Sequence, residues 1–225
     1  MSTPTPSKQP SEQLGRVSTV DAIVEALRDR ILSGLEAPGS PIREAEVCER
    51  YGVSRHSART AMRVLAASGL LQFEANHGVR VTDLTANDVR DIYALRRVLE
   101  SEAVSVIAAG EADTTVALEA LQALESLPNT TDWATVRDRD LEFHRALVAS
   151  LQRPRTTASF DRLIDEMRLA FRQLRPELED VDLVIRQHRA LYDAAVSGDQ
   201  GTAVAAMVDH LTAAEHSICG VTGRE

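Results

Sequence analysis

Cysteine is scarce in this chain: Cys48 and Cys219 are the only two, far apart and in no metal-binding or redox spacing. That leaves no basis for a disulfide framework, and two reduced thiols in a reducing compartment are expected. Long apolar runs are missing as well, so nothing is long enough to span a bilayer. Residues 1–17 are rich in Pro, Ser, Thr and Gln without an apolar core, which reads as a disordered tail and not as a secretory signal. A cytoplasmic protein with no membrane partner is the expectation. Positive charge is also short, since the net charge is −9, which taken alone argues against nucleic acid.

The distribution of charge removes that objection. Residues 1–85 carry ten Lys or Arg against ten Asp or Glu, whereas residues 86–225 carry fifteen against twenty-four. All the excess acid lies in the second part. Residues 50–80 contain five arginines and one acid, Glu74, a local basic patch of the kind that suits DNA binding.

Arg55, Arg59 and Arg63 within that patch recur every four residues. On a helix they share one face, and Ala58, Ala61, Met62 and Leu65 form the other. Arg43 to Tyr51 reads as a shorter preceding helix ended by Gly52, and Ser54 is a good N-cap for the second. Two helices joined by a tight turn make a helix-turn-helix whose second helix would enter a DNA major groove; a solvated arginine stripe is the bland alternative. Next, Leu70 to Phe73 and Val79 to Thr82 are apolar strands around an Asn-His-Gly tip, which makes the motif winged. His77 and Arg80 would sit on or beside the wing, as phosphate or minor-groove contacts, with a merely solvated His77 the alternative.

These residues resemble the GntR family of bacterial transcription regulators. The likeness is carried by Ile31 to Gly34, Pro38-Gly39, Pro41-Ile42, the Gly-Val-Ser-Arg turn at 52–55, Arg59, Leu65, Gly69-Leu70 and Gly78. It implies that Arg55 and Arg59 contact bases or the adjoining backbone. The family usually has Thr-Pro-Val between these arginines, where this chain has His56, Ser57 and Ala58, and Ala45 stands where some relatives carry a further arginine. The DNA-binding set expected is Arg43, Ser54, Arg55, His56, Arg59 and Arg63, with His77, Gly78 and Arg80 on the wing.

From Ala86 onward the pattern is helical in six segments, at about 86–109, 114–126, 131–151, 155–174, 179–197 and 200–218. No strand pattern or repeat interrupts them. The fold class expected is mainly α: a winged helix-turn-helix over 18–83, then an antiparallel helical bundle over 84–222.

Ionisable residues interrupt the apolar stripes of three bundle helices. One stripe runs Trp133, Val136, Asp140, His144, Leu147, Val148 and Leu151; another holds His188 between Ile185 and Leu191; a third holds His210 between Met207 and Leu211. His216 lies off its stripe. A lone buried histidine is usually a hydrogen-bonded core residue. Four converging groups each need a partner, and one divalent metal bound by Asp140, His144, His188 and His210 satisfies all of them. Zinc heads the ions such a donor set takes, with nickel and manganese also admitted. Arg96 lies on the stripe Val89, Ile92, Tyr93, Arg96, Leu99, Ala103, and a buried guanidinium needs an anion. Glu100 or another bundle acid is one partner; a carboxylate ligand that also takes open positions on the metal is the other.

Arg96 to Glu100, Asp140 to His144, His188 to Tyr192 and Met207 to Leu211 narrow the resemblance to the FadR subgroup, whose effector domain is called FCD. Six helices suit its smaller, VanR-like form. The resemblance implies a metal on the Asp and three His and a small organic acid as effector, although Gln152-Arg153 stands where relatives often have Gly-Asn beside the effector pocket. A zinc hydrolase would need a general base near the metal, and Glu142 lies off the stripe. A DNA-binding adaptor with a purely structural metal is the stronger rival. The expected protein is no enzyme but a DNA-binding repressor, bound as a homodimer to a pseudopalindromic double-stranded operator and controlled by a small carboxylate effector.

Overall fold

The computed structural model describes residues 18–74, 78–173 and 180–220. Its first part opens with α1 (Thr19–Leu32), capped by Ser18, whose hydroxyl accepts from the Asp21 amide. Ile23, Val24, Leu27 and Ile31 are its buried face. Next come β1 (Pro41–Ile42), α2 (Glu44–Tyr51), α3 (Arg55–Ala67), β2 (Leu71–Glu74) and β3 (Gly78–Val81). Neither α1 nor β1 figured in the reading of the sequence. β1 is too short to give a pattern, and it exists because β3 offers it an edge, so that the sheet order is β1-β3-β2, antiparallel throughout.

The expected helix from Arg43 begins one residue later, with Arg43 extended at its N-cap. Gly52 ends it at φ 63°, a left-handed position that suits glycine. Ser54 caps α3 by accepting from the Ser57 amide, and Ala58, Ala61, Met62 and Leu65 are all buried. The opposite face therefore carries Arg55, Arg59 and Arg63 into solvent. In the wing, Leu71 pairs with Val81 and Phe73 with Val79. Its tip, including His77, lies outside the described residues.

Six helices follow: α4 (Ala86–Ala108), α5 (Thr115–Glu125), α6 (Trp133–Ala149), α7 (Pro154–Gln173), α8 (Val181–Ala195) and α9 (Gln200–Gly220). α4 starts in a reciprocal cap, with Thr85 accepting from the Asp88 amide and Asp88 accepting from the Thr85 amide. It packs along α9 and touches α6, α7 and α8 as well, which makes it the bundle's central helix. Among the described residues no helix is long and apolar enough to cross a membrane.

α7 joins the two parts. Arg28 on α1 donates to Asp165 at 3.0 Å. Gln173, at the end of α7, accepts from the Leu84 amide at 2.8 Å and donates to the Thr82 carbonyl at 2.7 Å, so one side-chain amide clamps the linker backbone at two points. Gln173→Ala is expected to lower the melting temperature modestly, each lost hydrogen bond being worth about 0.5–1.5 kcal/mol. Hydrogen exchange at the Leu84 amide should accelerate more than at the Val89 amide, which donates to Thr85 within the cap of α4; equal protection at Leu84 in parent and variant would show that the clamp is not formed.

Candidate metal and ligand site

The three inward histidines converge. His144 from α6, His188 from α8 and His210 from α9 bring ring nitrogens within 4.8 Å of one another, with ring centroids 5.1–5.3 Å apart. His144 and His188 are buried at 1% exposure, and His210 is partly buried. His216 is exposed, as its place off the stripe requires. Asp140, one turn before His144, puts Oδ1 2.8 Å from His188 Nε2.

Hydrogen bonds behind the rings settle which nitrogen is available. His188 Nδ1 lies 2.8 Å from the Val184 carbonyl and donates to it, so in the neutral ring Nε2 is the lone pair a metal would take; without a metal, burial opposes protonation of this ring and Asp140 overcomes it, raising its pKa. His188 Nε2 faces the Asp140 carboxylate at 2.8 Å. His144 Nδ1 lies 2.5 Å from Glu100 Oε2, and its Nε2 lies 3.2 Å from His210 Nε2. Two imidazole nitrogens about 3.3 Å apart are what a shared tetrahedral ion with bonds of about 2.0–2.1 Å produces. The three imidazoles could hold a divalent cation, with Asp140 placed beside His188, and the carboxylate behind His144 is the usual partner of a metal-binding imidazole.

Glu100 is fully buried and serves two groups, because Arg96 Nε donates to its Oε1 at 2.7 Å. Burial works against the Glu100 carboxylate, but Arg96 and His144 outweigh it and hold its pKa down to about 2. Asp140 is likewise held below the carboxylate range: burial opposes ionisation and His188 overcomes it. Burial, then the like charge of His144 and His188, pushes His210 down to about 3, so its ring is a neutral donor at physiological pH. Arg96 spends only part of its guanidinium on Glu100. Its Nη2 is buried with no hydrogen-bond partner among the described residues, and the side chain lines a cavity of about 440 Å³ beside the histidines.

The cavity also meets Trp133, Arg137, Phe171 and Ile218, with Gln187 and Ser217 among its polar lining. Arg137 donates to the Phe171 carbonyl at 3.0 Å and its guanidinium stands 5.2 Å from the Phe171 ring centroid. Trp133, Arg137 and Phe171 also line a second cleft, which reaches Arg28 and Leu32 of α1. Glu100 was offered by the sequence only as a partner of Arg96; its place one helical turn after Arg96 was the available signal for burial. The partition formed by Arg137 and Phe171 joins α6 to α7 and had no such signal.

In the DNA-binding part, Arg55, Arg59 and Arg63 stand exposed on α3. Arg59 pairs with Glu44, while Arg43 pairs with Glu46 at 3.0 Å. Arg80 is committed to the protein itself, donating to the Gly39 carbonyl at 2.8 Å with Glu74 at 3.0 Å. His56 and Ser54 are exposed at the entrance of α3, and Gly78 at the base of the wing.

A winged helix-turn-helix with an arginine face, joined to a helical bundle that holds a ligand-sized cavity, is the architecture of a DNA-binding regulator. Residues 91–213 match the FCD domain family, and residues 19–81 match the gntR family of bacterial regulatory proteins. An uncharacterized HTH-type transcriptional regulator of Bacillus subtilis (strain 168) is 35% identical over 54% of this chain and 56% of its own length. A probable D-xylose utilization operon transcriptional repressor of Paenarthrobacter nicotinovorans is 26% identical over 94% of this chain and 95% of its own. The gluconate operon transcriptional repressor of Bacillus licheniformis is 25% identical over 85% and 81%. Among solved structures, a putative transcriptional regulator GntR from Rhodococcus sp. RHA1 superposes with a TM-score of 0.78 at 28% identity, covering 91% of this chain and 99% of that one. The chain belongs to the GntR family of DNA-binding transcription regulators, in the FadR-like branch that carries an FCD domain.

If the four donors hold a metal, chelator should lower the melting temperature of the purified protein, because a ligand bound only by the folded state stabilises it. His188→Ala should abolish that difference and His216→Ala should preserve it. Glu100→Gln should lower metal affinity by roughly 10–100-fold. Elemental analysis showing full metal occupancy in His188→Ala would reject the site.

Proposed function

We propose that this regulator is a repressor that senses a small carboxylic acid at a divalent metal held by Asp140, His144, His188 and His210. The observation that carries the reading is Arg96: one edge of its guanidinium is fixed by Glu100, while buried Nη2 has no hydrogen-bond partner among the described residues, in the cavity wall beside the imidazoles. A buried donor without an acceptor costs roughly 1–3 kcal/mol, and a ligand carboxylate removes that cost. The metal, when bound, supplies affinity for the ligand's carboxylate oxygens; zinc, nickel and manganese all accept this donor set. Arg96 then orients the carboxylate, and the apolar wall of Trp133, Phe171 and Ile218 excludes water. The gluconate repressor among the relatives is named for the operon of an organic acid, which agrees with this class of effector.

Signal transfer to DNA follows from three consecutive residues at the end of α7. Phe171 lines the cavity, Arg172 reaches Gly34 just beyond α1, and Gln173 holds the linker at Thr82 and Leu84. A ligand that displaces Phe171 shifts the support of the DNA-binding part. Arg55, Arg59 and Arg63, with Ser54 and His56 at the helix entrance and Arg43 beside them, form the major-groove face; His77, Gly78 and Arg80 belong to the wing. One such head reads too few base pairs for a specific site, so a homodimer on a pseudopalindromic operator is the acting species.

A thermal-shift screen of small carboxylates, with and without chelator, tests the effector class: acids that stabilise the metal-loaded protein and not the chelated one are expected. Arg96→Lys keeps a cation for Glu100 but removes the outward fork. It should retain metal, weaken the binding of any acid found in the screen at least tenfold, and remain on DNA at acid concentrations that release the parent. Unchanged acid affinity in Arg96→Lys would leave Arg96 as a core residue only.

A further inference from the structure

Glu44, in the first turn of α2, and Arg59, in the middle of α3, meet across the helix-turn-helix. Arg59 Nε and Nη2 donate to Glu44 Oε1 and Oε2 at 2.7 and 2.9 Å, two parallel bonds that occupy one edge of the guanidinium. The end-on edge, made by Nη1 and the outward N–H of Nη2, has no partner among the described residues. Arg59 is 54% exposed, so this edge is open to a ligand of the α3 face. Arg55 and Arg63 flank it on the same face, exposed and with no acidic partner within ion-pair distance among the described residues.

An end-on guanidinium fork matches O6 and N7 of guanine in the major groove. A long arginine must normally give up rotamer freedom to hold that geometry, and a bidentate carboxylate already holds it in the free protein. An acid on the DNA-binding face weakens attraction to phosphate, so Glu44 adds nothing to sequence-independent affinity. Any contribution it makes to DNA recognition therefore lies in aiming Arg59.

We propose that Glu44 is a positioning residue that buttresses Arg59, so that Arg59 reads one guanine in each half-site while the unbuttressed Arg55 and Arg63 serve phosphate or looser base contacts. This rests on the reading of α3 as the helix that enters the major groove. Arg59 thereby becomes the specificity-determining arginine, and removal of Glu44 should loosen sequence choice while leaving general DNA affinity equal or higher.

In vitro selection from a random 30-base-pair duplex library, using the full chain, tests this with the parent, Glu44→Gln, Glu44→Asp and Arg59→Ala. The parent motif is expected to carry a guanine in each half-site that disappears with Arg59→Ala and weakens with Glu44→Gln. By fluorescence anisotropy on the selected duplex, changing that guanine to adenine should cost the parent about tenfold or more and Glu44→Gln no more than about threefold. Affinity for unselected duplex should not fall in Glu44→Gln. Glu44→Asp keeps the charge but shortens the reach, and is expected to lose discrimination too; circular dichroism confirms folding of each variant. A Glu44→Gln motif identical to the parent's, or an equal gain in affinity for all DNA with discrimination intact, would mean that Glu44 merely sequesters Arg59 and overturns the proposal. A guanine retained by Arg59→Ala would instead remove the base-reading role of Arg59 itself.

Discussion

The Glu100 carboxylate is the constraint around which the effector domain is arranged. It is wholly buried, and it holds Arg96 on its own helix and His144 on α6. An ionised acid in that position is tolerable because two donors converge on it; its removal would strand a guanidinium and free an imidazole ring together. The ring orientation of His144, the availability of its Nε2 and the direction of the second Arg96 edge all follow from this one group. The proposed metal site and the proposed carboxylate anchor therefore share a foundation, and neither can be altered at Glu100 without disturbing the other.

In the proposed switch, a local change at the cavity reaches the DNA-binding part. Its wall at Trp133, Arg137 and Phe171 is also the wall of a cleft bounded by α1. Packed side chains with hydrogen-bonded neighbours transmit displacement because they have few alternative arrangements. The Gln173 clamp adds a backbone connection at the linker. The opposite organisation holds on the arginine face of α3, where the side chains stand exposed and Arg59 is paired with Glu44. Excess negative charge lies in the second part of the chain, residues 86–225.

Much of this was legible in the residues themselves. The four-residue spacing of Arg55, Arg59 and Arg63 opposite Ala58, Ala61, Met62 and Leu65 set the faces of α3, and the structure buries all four apolar residues. Breaks at Gly110, Pro128, Pro154 and Gly198 marked helix ends to within two or three residues. The interruption of apolar stripes by His144, His188 and His210 was equally visible, since helical periodicity states which side chains share a face. β1 escaped notice because two residues carry no period, and its stability comes from its pairing with β3.

Pairings between helices were not legible. That His144 would find Glu100, that Arg59 would find Glu44 and that Gln173 would clamp Thr82 and Leu84 depends on the packing of elements remote in sequence. The sequence by itself determined which residues face inward and which outward, because period and capping are local properties of the backbone. Only the tertiary structure decided which inward charge meets which, since hydrogen bonds act over about 3 Å and crossing helices, not chain order, bring donor and acceptor that close.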